Sequence, residues 1–149
     1  MIILHPYAKK LRTGMPHPKD YPHWKELAEL LDQHVIQIGI EGEAQIVEDF
    51  RRGLSLKEIE ALVRTCDYWI AVDSFLPHLA KHIGKRGVVI WSFSDPLIFG
   101  YPENINILKD RKYLRAKQFD IWESCGRVEE AFLSPQCIMD FIKRGDLLT

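Results

Sequence analysis

Cysteine is scarce in this chain: its 149 residues include three, Cys66, Cys125 and Cys137, far apart and without a CxxC pair. An odd, sparse set excludes a disulfide scaffold and a zinc ribbon. No histidine is tied in sequence to Cys125, which is therefore expected to be a buried structural thiol rather than a nucleophile. An excess of one charge is missing too. The 20 basic residues are matched by 21 acidic ones, a net of -1, whereas a nucleic-acid binder gathers a basic excess on one face. The short cluster Lys9, Lys10, Arg12 is either a solvated loop or a phosphate contact. No apolar run approaches a membrane span. Met1 leads straight into a strand-like run, which leaves no signal peptide, and a cytoplasmic protein is expected.

Ligand motifs are also few. The turn from Gly39 to Gly42 lacks GxGxxG, and no Walker A lysine motif occurs. His78 and His82 stand four apart, as in a zinc pair, but Leu79 occupies the place of the glutamate in HExxH and no third ligand is evident. Neither a metal nor a cofactor is expected.

What is present is the pattern of one α/β domain spanning residues 1–149. A hydrophobic share of 46% is enough for a core between layers. Ile2 to His5 reads as a buried strand, followed by a long polar loop rich in Pro, Lys and His. Trp24, Leu27, Ala28 and Leu31 recur at helical spacing. Val35 to Ile40 is the next strand. Ser55 with Glu58 forms a capping box for a helix whose buried stripe is Ile59, Leu62, Val63 and Cys66. Tyr68 to Val72 is a continuous apolar run, typical of a parallel strand covered on both faces. The following helix carries Leu76, Leu79, Ala80 and Ile83 on one face, with Gly84 as its stop. Val88 to Trp91 and Ile105 to Leu108 are further strands. Ser134 and Pro135 open a last helix with Cys137, Ile138, Phe141 and Ile142 facing inward, and Lys143 and Arg144 suit its C-terminal dipole. Strands alternating with helices define a mostly parallel, Rossmann-like sheet.

Ligands of such sheets bind beyond the carboxyl ends of the strands. Three segments belong there: the loop after His5, the turn from Gly39 to Glu43, and the turn from Asp73 to His78. Asp73 and Ser74 stand where a helix begins, so their oxygens either cap its free N–H groups or leave them to a ligand phosphate. Pro77 falls in the first turn, where its missing donor costs nothing. His78 would point from that turn toward the same mouth, or else is a packed or solvent-bonded imidazole.

The stretch from Cys66 through Val72-Asp73-Ser74-Phe75-Leu76-Pro77-His78-Leu79-Ala80 resembles the diphosphate-sugar-binding segment of the heptosyltransferase family (glycosyltransferase family 9). In that family a buried strand ends in Asp-Ser/Thr-Gly, and His-Leu/Ile-Ala follows shortly. Gly84-Lys85 before a strand, Ser94-Asp95-Pro96, the strand Ile2 to Pro6, and Lys19 ahead of Tyr21-Pro22-His23-Trp24 continue the resemblance across most of the chain. It implies the nucleotide-sugar-binding, C-terminal domain of a two-domain enzyme. Ser74, His78 and the backbone amides around Phe75 and Leu76 would then hold a diphosphate, helped by Lys19. Glu41 or Glu43 would accept hydrogen bonds from ribose hydroxyls, and Asp73 would orient the turn or contact the sugar. The implied ligand is a nucleotide sugar or nucleoside diphosphate.

Two departures qualify this. Phe75 replaces the family's glycine, which lets backbone approach a phosphate closely; it either obstructs that approach or stacks on a base. The family's general base and acceptor pocket come from an N-terminal domain without counterpart in these residues, so glycosyl transfer would need a partner chain supplying an acceptor-binding domain. Two alternatives remain. One is a non-catalytic nucleotide-binding or interaction module. The other, a nucleoside deoxyribosyltransferase, needs a nucleophilic glutamate after a strand like Tyr68 to Val72, and the helix from Ser74 to Ile83 contains none.

Overall fold

The computed structural model describes residues 1–145 and 147. Six parallel strands form one sheet: β1 (Ile2–His5), β2 (Val35–Gly39), β3 (Asp49–Arg52), β4 (Tyr68–Val72), β5 (Val88–Ile90) and β6 (Ile105–Ile107). Their spatial order is β3-β2-β1-β4-β5-β6, the order of a doubly wound sheet. Five helices connect or flank them: α1 (Trp24–Glu29), α2 (Leu56–Thr65), α3 (Phe75–Ile83), α4 (Pro96–Phe99) and α5 (Pro135–Arg144). Three single 3-10 turns punctuate the long segment between β6 and α5.

Side-chain alternation divides the core in two. Ile2, Leu4, Tyr68, Ile70, Val72, Val88 and Ile90 face Trp24 and Leu27 of α1 and Ile138 and Ile142 of α5. Ile3, Trp69, Ala71 and Val89 face Val63 of α2 and Leu76 and Ala80 of α3. Each large side chain so buried contributes about 1.5–3 kcal/mol, and burial on both faces explains why β4 reads as an unbroken apolar run. Gly87 makes room for Trp69: a Cβ there would lie 2.1 Å from the indole.

Local signals set the helix ends. The Ser55–Glu58 capping box forms as its sequence dictates, and Gly84 closes α3 in the left-handed conformation at φ 80°. Ser134 accepts the amide of Cys137 ahead of Pro135.

Several expectations are corrected. In α5 the buried residues are Ile138, Met139 and Ile142; Cys137 and Phe141 are exposed, because the helix turns its Ile138–Ile142 edge to the sheet. Cys125 is half-buried rather than buried, since it sits in the irregular segment after β6 and not in a layer. Strand β3 carries the sequence Asp-Phe-Arg-Arg and lacks a hydrophobic pattern. It is an edge strand, paired on one side only, with β2, where charged residues suit solvent and discourage further pairing. Helix α4 is a single turn, capped by the Asp95 carboxylate on the Leu97 amide.

Candidate functional site

The strand order reverses between β1 and β4: the chain winds outward from β1 through β2 to β3, then returns to β4 and winds the other way. The crevice at that reversal is where doubly wound sheets bind ligands, beyond the strands' carboxyl ends. His5, the last residue of β1, pairs in register with Ala71 of β4. That register brings Ser74, two residues past the end of β4, against it.

The sequence left open whether Ser74 caps α3. It does not: no side chain caps this helix. Ser74 Oγ instead lies 2.9 Å from Nδ1 of His5, 69 residues away. The first-turn amides of α3 are therefore left without a side-chain acceptor, while Pro77 has no N–H to satisfy. Asp73 is likewise turned elsewhere. Its Oδ2 accepts a hydrogen bond from Lys19 Nζ at 3.2 Å, and both side chains are mostly buried, 15% and 14% exposed. A free helix N-terminus, a hydroxyl and a lysine thus meet at the switch point, the donors an oxyanion requires.

Residues 6–23 form a strap over these strand ends. Trp24 Nε1 donates to the Pro6 carbonyl at 3.0 Å, and the buried Asp20 carboxylate accepts the Ala8 amide at 2.9 Å. His17 Nδ1 accepts the Lys19 amide at 3.2 Å and its ring packs on Trp122 at 4.6 Å between centroids. The Lys19 ammonium lies 5.1 Å from the centre of the same indole. These contacts hold the strap so that Lys19 reaches Asp73.

Two histidines are kept neutral here. Burial lowers the pKa of His5 from 6.5 to about 4. His17 also falls to about 4, through burial and then the charges of Lys19 and Arg115. Asp20 moves the other way, pushed by burial up to about 6. An unfolded imidazole takes up its proton near pH 6.5 while these two resist until about pH 4. Their contribution to stability is therefore present above pH 6.5 and lost as pH falls toward 4. Asp20 and the less strongly raised Glu43 oppose this, their folded forms gaining a proton first on acidification, and the two imidazoles outweigh them. The melting temperature, followed by circular dichroism, is expected to fall between pH 6.5 and 4. In a His5→Gln, His17→Gln double variant the slope should flatten; an unchanged slope would refute the assignment.

The remaining sequence candidates lie apart from this cluster or at its edge. Glu41 is 90% exposed, with Arg52 Nε at 4.0 Å. Glu43 folds back over the end of β2, its Oε2 accepting the Ile40 amide at 3.3 Å, and only a glycine at position 39 leaves it room. Burial, and the nearby Asp20 charge, raise the Glu43 pKa. Of the two carboxylates it is Glu43 that the fold holds in place. Phe75 opens α3, 42% exposed, edge-on to His5 at 4.8 Å. Leu76 is buried in the α2–α3 core, so only its backbone faces the turn. His78 does not point at Ser74; it is exposed on α3, with Nδ1 2.6 Å from the Tyr101 hydroxyl. The α3 helix sets this, directing residue 78 toward the segment after α4. Asp95 is bound by Arg111 through two hydrogen bonds of 3.0 and 2.7 Å, which hold its carboxyl below the usual range.

Sequence reasoning missed His5 and Trp122. His5 reads as the end of a buried strand, and nothing in its surroundings signals a partner 69 residues on. Trp122 falls in the segment after β6, which has no periodicity.

The fold and the crevice define a single Rossmann-type α/β domain with an all-parallel six-stranded sheet. No family model and no curated protein matches its sequence. Among solved structures it is similar to E. coli heptosyltransferase WaaC with ADP, at a TM-score of 0.64 and 17% identity. The similarity covers 97% of this chain and 43% of that one, so the chain spans less than half the length of that protein. No helix among the described residues is long and apolar enough to cross a membrane.

Proposed function

We propose that the switch-point crevice binds the diphosphate of a nucleotide sugar or nucleoside diphosphate, as the donor-side domain of a glycosyltransferase of heptosyltransferase type. One observation carries this: at the reversal of the sheet, the first turn of α3 has no side-chain cap while Ser74 and Lys19 stand beside it. The fold shared with a heptosyltransferase solved with ADP supports the choice of ligand. In this scheme a phosphate takes the Phe75 and Leu76 amides. His5 Nδ1–H donates to Ser74 Oγ, which frees the serine proton for a phosphate oxygen. Lys19 exchanges part of its contact with Asp73 for the ligand's charge. Glu43 is placed for the ribose hydroxyls, and Glu41 is a second acceptor at the rim. His78, held through Nδ1 by Tyr101, has Nε2 for an outer phosphate oxygen. Phe75 is exposed enough to stack on a base. Transfer itself would require an acceptor-binding domain beyond these residues, in the same or a second chain.

Calorimetry with ADP, GDP, UDP and their sugars tests this. Affinity is expected to be modest, since one wall of a closing cleft buries little ligand. Silence with every ligand at millimolar concentration rejects the proposal. Ser74→Ala and His78→Ala are each expected to weaken binding by about 1–3 kcal/mol, the scale of a charge-assisted hydrogen bond. Ser74→Ala should also lower the melting temperature, because it leaves the buried Nδ1 of His5 without its partner, whereas the exposed His78→Ala change should not lower it much. A His78→Ala variant that binds normally would reduce His78 to a surface partner of Tyr101.

A further inference from the structure

At the other end of the sheet from the crevice, where β1 and β4 begin, lies a cavity of about 400 Å³. Ile2 and Tyr68, the paired first residues of those strands, form its floor. Leu30 and Leu31, which close α1, make one wall, and Met139 of α5 makes the other. Asp32, Gln33 and Lys143 stand exposed at its mouth, where the Gln33 carbonyl is occupied by the Met1 amine at 3.0 Å.

Tyr68 is fully buried, yet its hydroxyl has no hydrogen-bond partner among the described residues. Buried hydroxyls are nearly always paired, because the water lost on folding has to be replaced. Tyr21, also buried, shows the ordinary solution: its hydroxyl donates to the Leu133 carbonyl at 2.8 Å. Tyr68 opens a central strand, so its ring cannot swing out to water. Burial, and then the Asp67 charge, push its pKa up to about 12, which keeps the hydroxyl protonated at neutral pH. A single water would meet that group, but the cavity holds far more than one. Walls of leucine, isoleucine and methionine suit an apolar body. One acid and one base at the mouth give it no net charge, so it selects neither an anion nor a cation. Met139 and Lys143 are unbranched and adapt by changing rotamer, which is what a ligand reaching the sealed hydroxyl requires.

We propose that this cavity binds a small uncharged organic molecule, apolar in its body, whose one hydroxyl or carbonyl group pairs with the Tyr68 hydroxyl. It stands independently of the diphosphate site. The test is amide NMR of the isotope-labelled 149-residue chain, titrated with para-cresol and with toluene, which has the same shape without the hydroxyl. Millimolar para-cresol is expected to shift the amides of Leu30, Asp32, Gln33 and Met139 and to leave those of His5 and Ser74 in place. It should bind about tenfold more tightly than toluene, the scale of one buried hydrogen bond. Tyr68→Phe should erase that preference while keeping or raising the melting temperature, since it deletes an unmet hydroxyl. Leu30→Trp, at an exposed position of the mouth, should block both compounds. An absence of shifts, or shifts centred on the switch-point crevice, overturns the proposal. So does equal binding of the two compounds, a preference that survives Tyr68→Phe, or binding that survives Leu30→Trp. A marked fall in the Tyr68→Phe melting temperature overturns it too, because the hydroxyl would then have its partner in the free protein.

Discussion

Lys19→Ala is expected to weaken binding of ADP, or of whichever nucleoside diphosphate binds best, by about 10- to 100-fold, or about 1–3 kcal/mol. The ammonium stands between two anions. In the free protein it serves Asp73 at 3.2 Å in a mostly buried pair; with ligand bound, it would also serve a phosphate. Removing it takes away the attraction and leaves the Asp73 carboxylate to repel the incoming charge. The companion change separates this from simple damage to the strap. Asp73→Asn removes the competitor and frees Lys19, so affinity for the diphosphate should hold or rise, while Lys19→Ala, Asp73→Asn together should recover part of the loss. Lys19→Arg keeps the charge and should stay within a few-fold of the parent. Titration calorimetry at two salt concentrations reads all four proteins. Asp73→Asn weakening binding as much as Lys19→Ala would mean that the ion pair merely shapes the turn.

The second large effect is a rate. Purified as these 149 residues, the protein is expected to show no transfer of sugar to a saccharide acceptor above background hydrolysis. Transfer requires the anomeric carbon, an acceptor hydroxyl and a base in one alignment, and that alignment supplies much of the acceleration. Three groups closest to the α3 turn are committed or weak. His5 is buried with its pKa lowered to about 4, Asp73 is paired with Lys19, and Glu43 is turned back onto the Ile40 amide. A self-associated pair presenting Asp95 across the crevice would not supply one either, since Arg111 holds that carboxylate. Incubation with radiolabelled nucleotide sugars and candidate saccharides measures this. Saturable transfer that disappears with Asp73→Asn would show that the chain carries a complete site. Transfer that appears only when an acceptor-binding domain is added would support a donor-side role for these residues.

What the sequence determined by itself is local. The capping box at Ser55, the left-handed stop at Gly84, the Ser134–Pro135 start of α5 and the unbroken apolar run of β4 each follow from neighbouring residues, and each element forms where its residues place it. The parallel α/β class follows from the alternation of these elements. The tertiary structure alone decided the rest, because long-range pairing overrides local preference wherever two uses compete for the same atom. Ser74 has a capping residue's chemistry at a helix start, yet the β1–β4 register delivers His5 to it, and the hydroxyl goes to the imidazole. Asp73 would serve equally as a cap until the strap brings in Lys19 from 54 residues away. His78 is aimed by the turn of α3 at Tyr101. The charged segment Asp49–Arg52 becomes a strand because β2 offers it an open edge, and an edge strand, solvated along one side, needs no hydrophobic pattern to announce it.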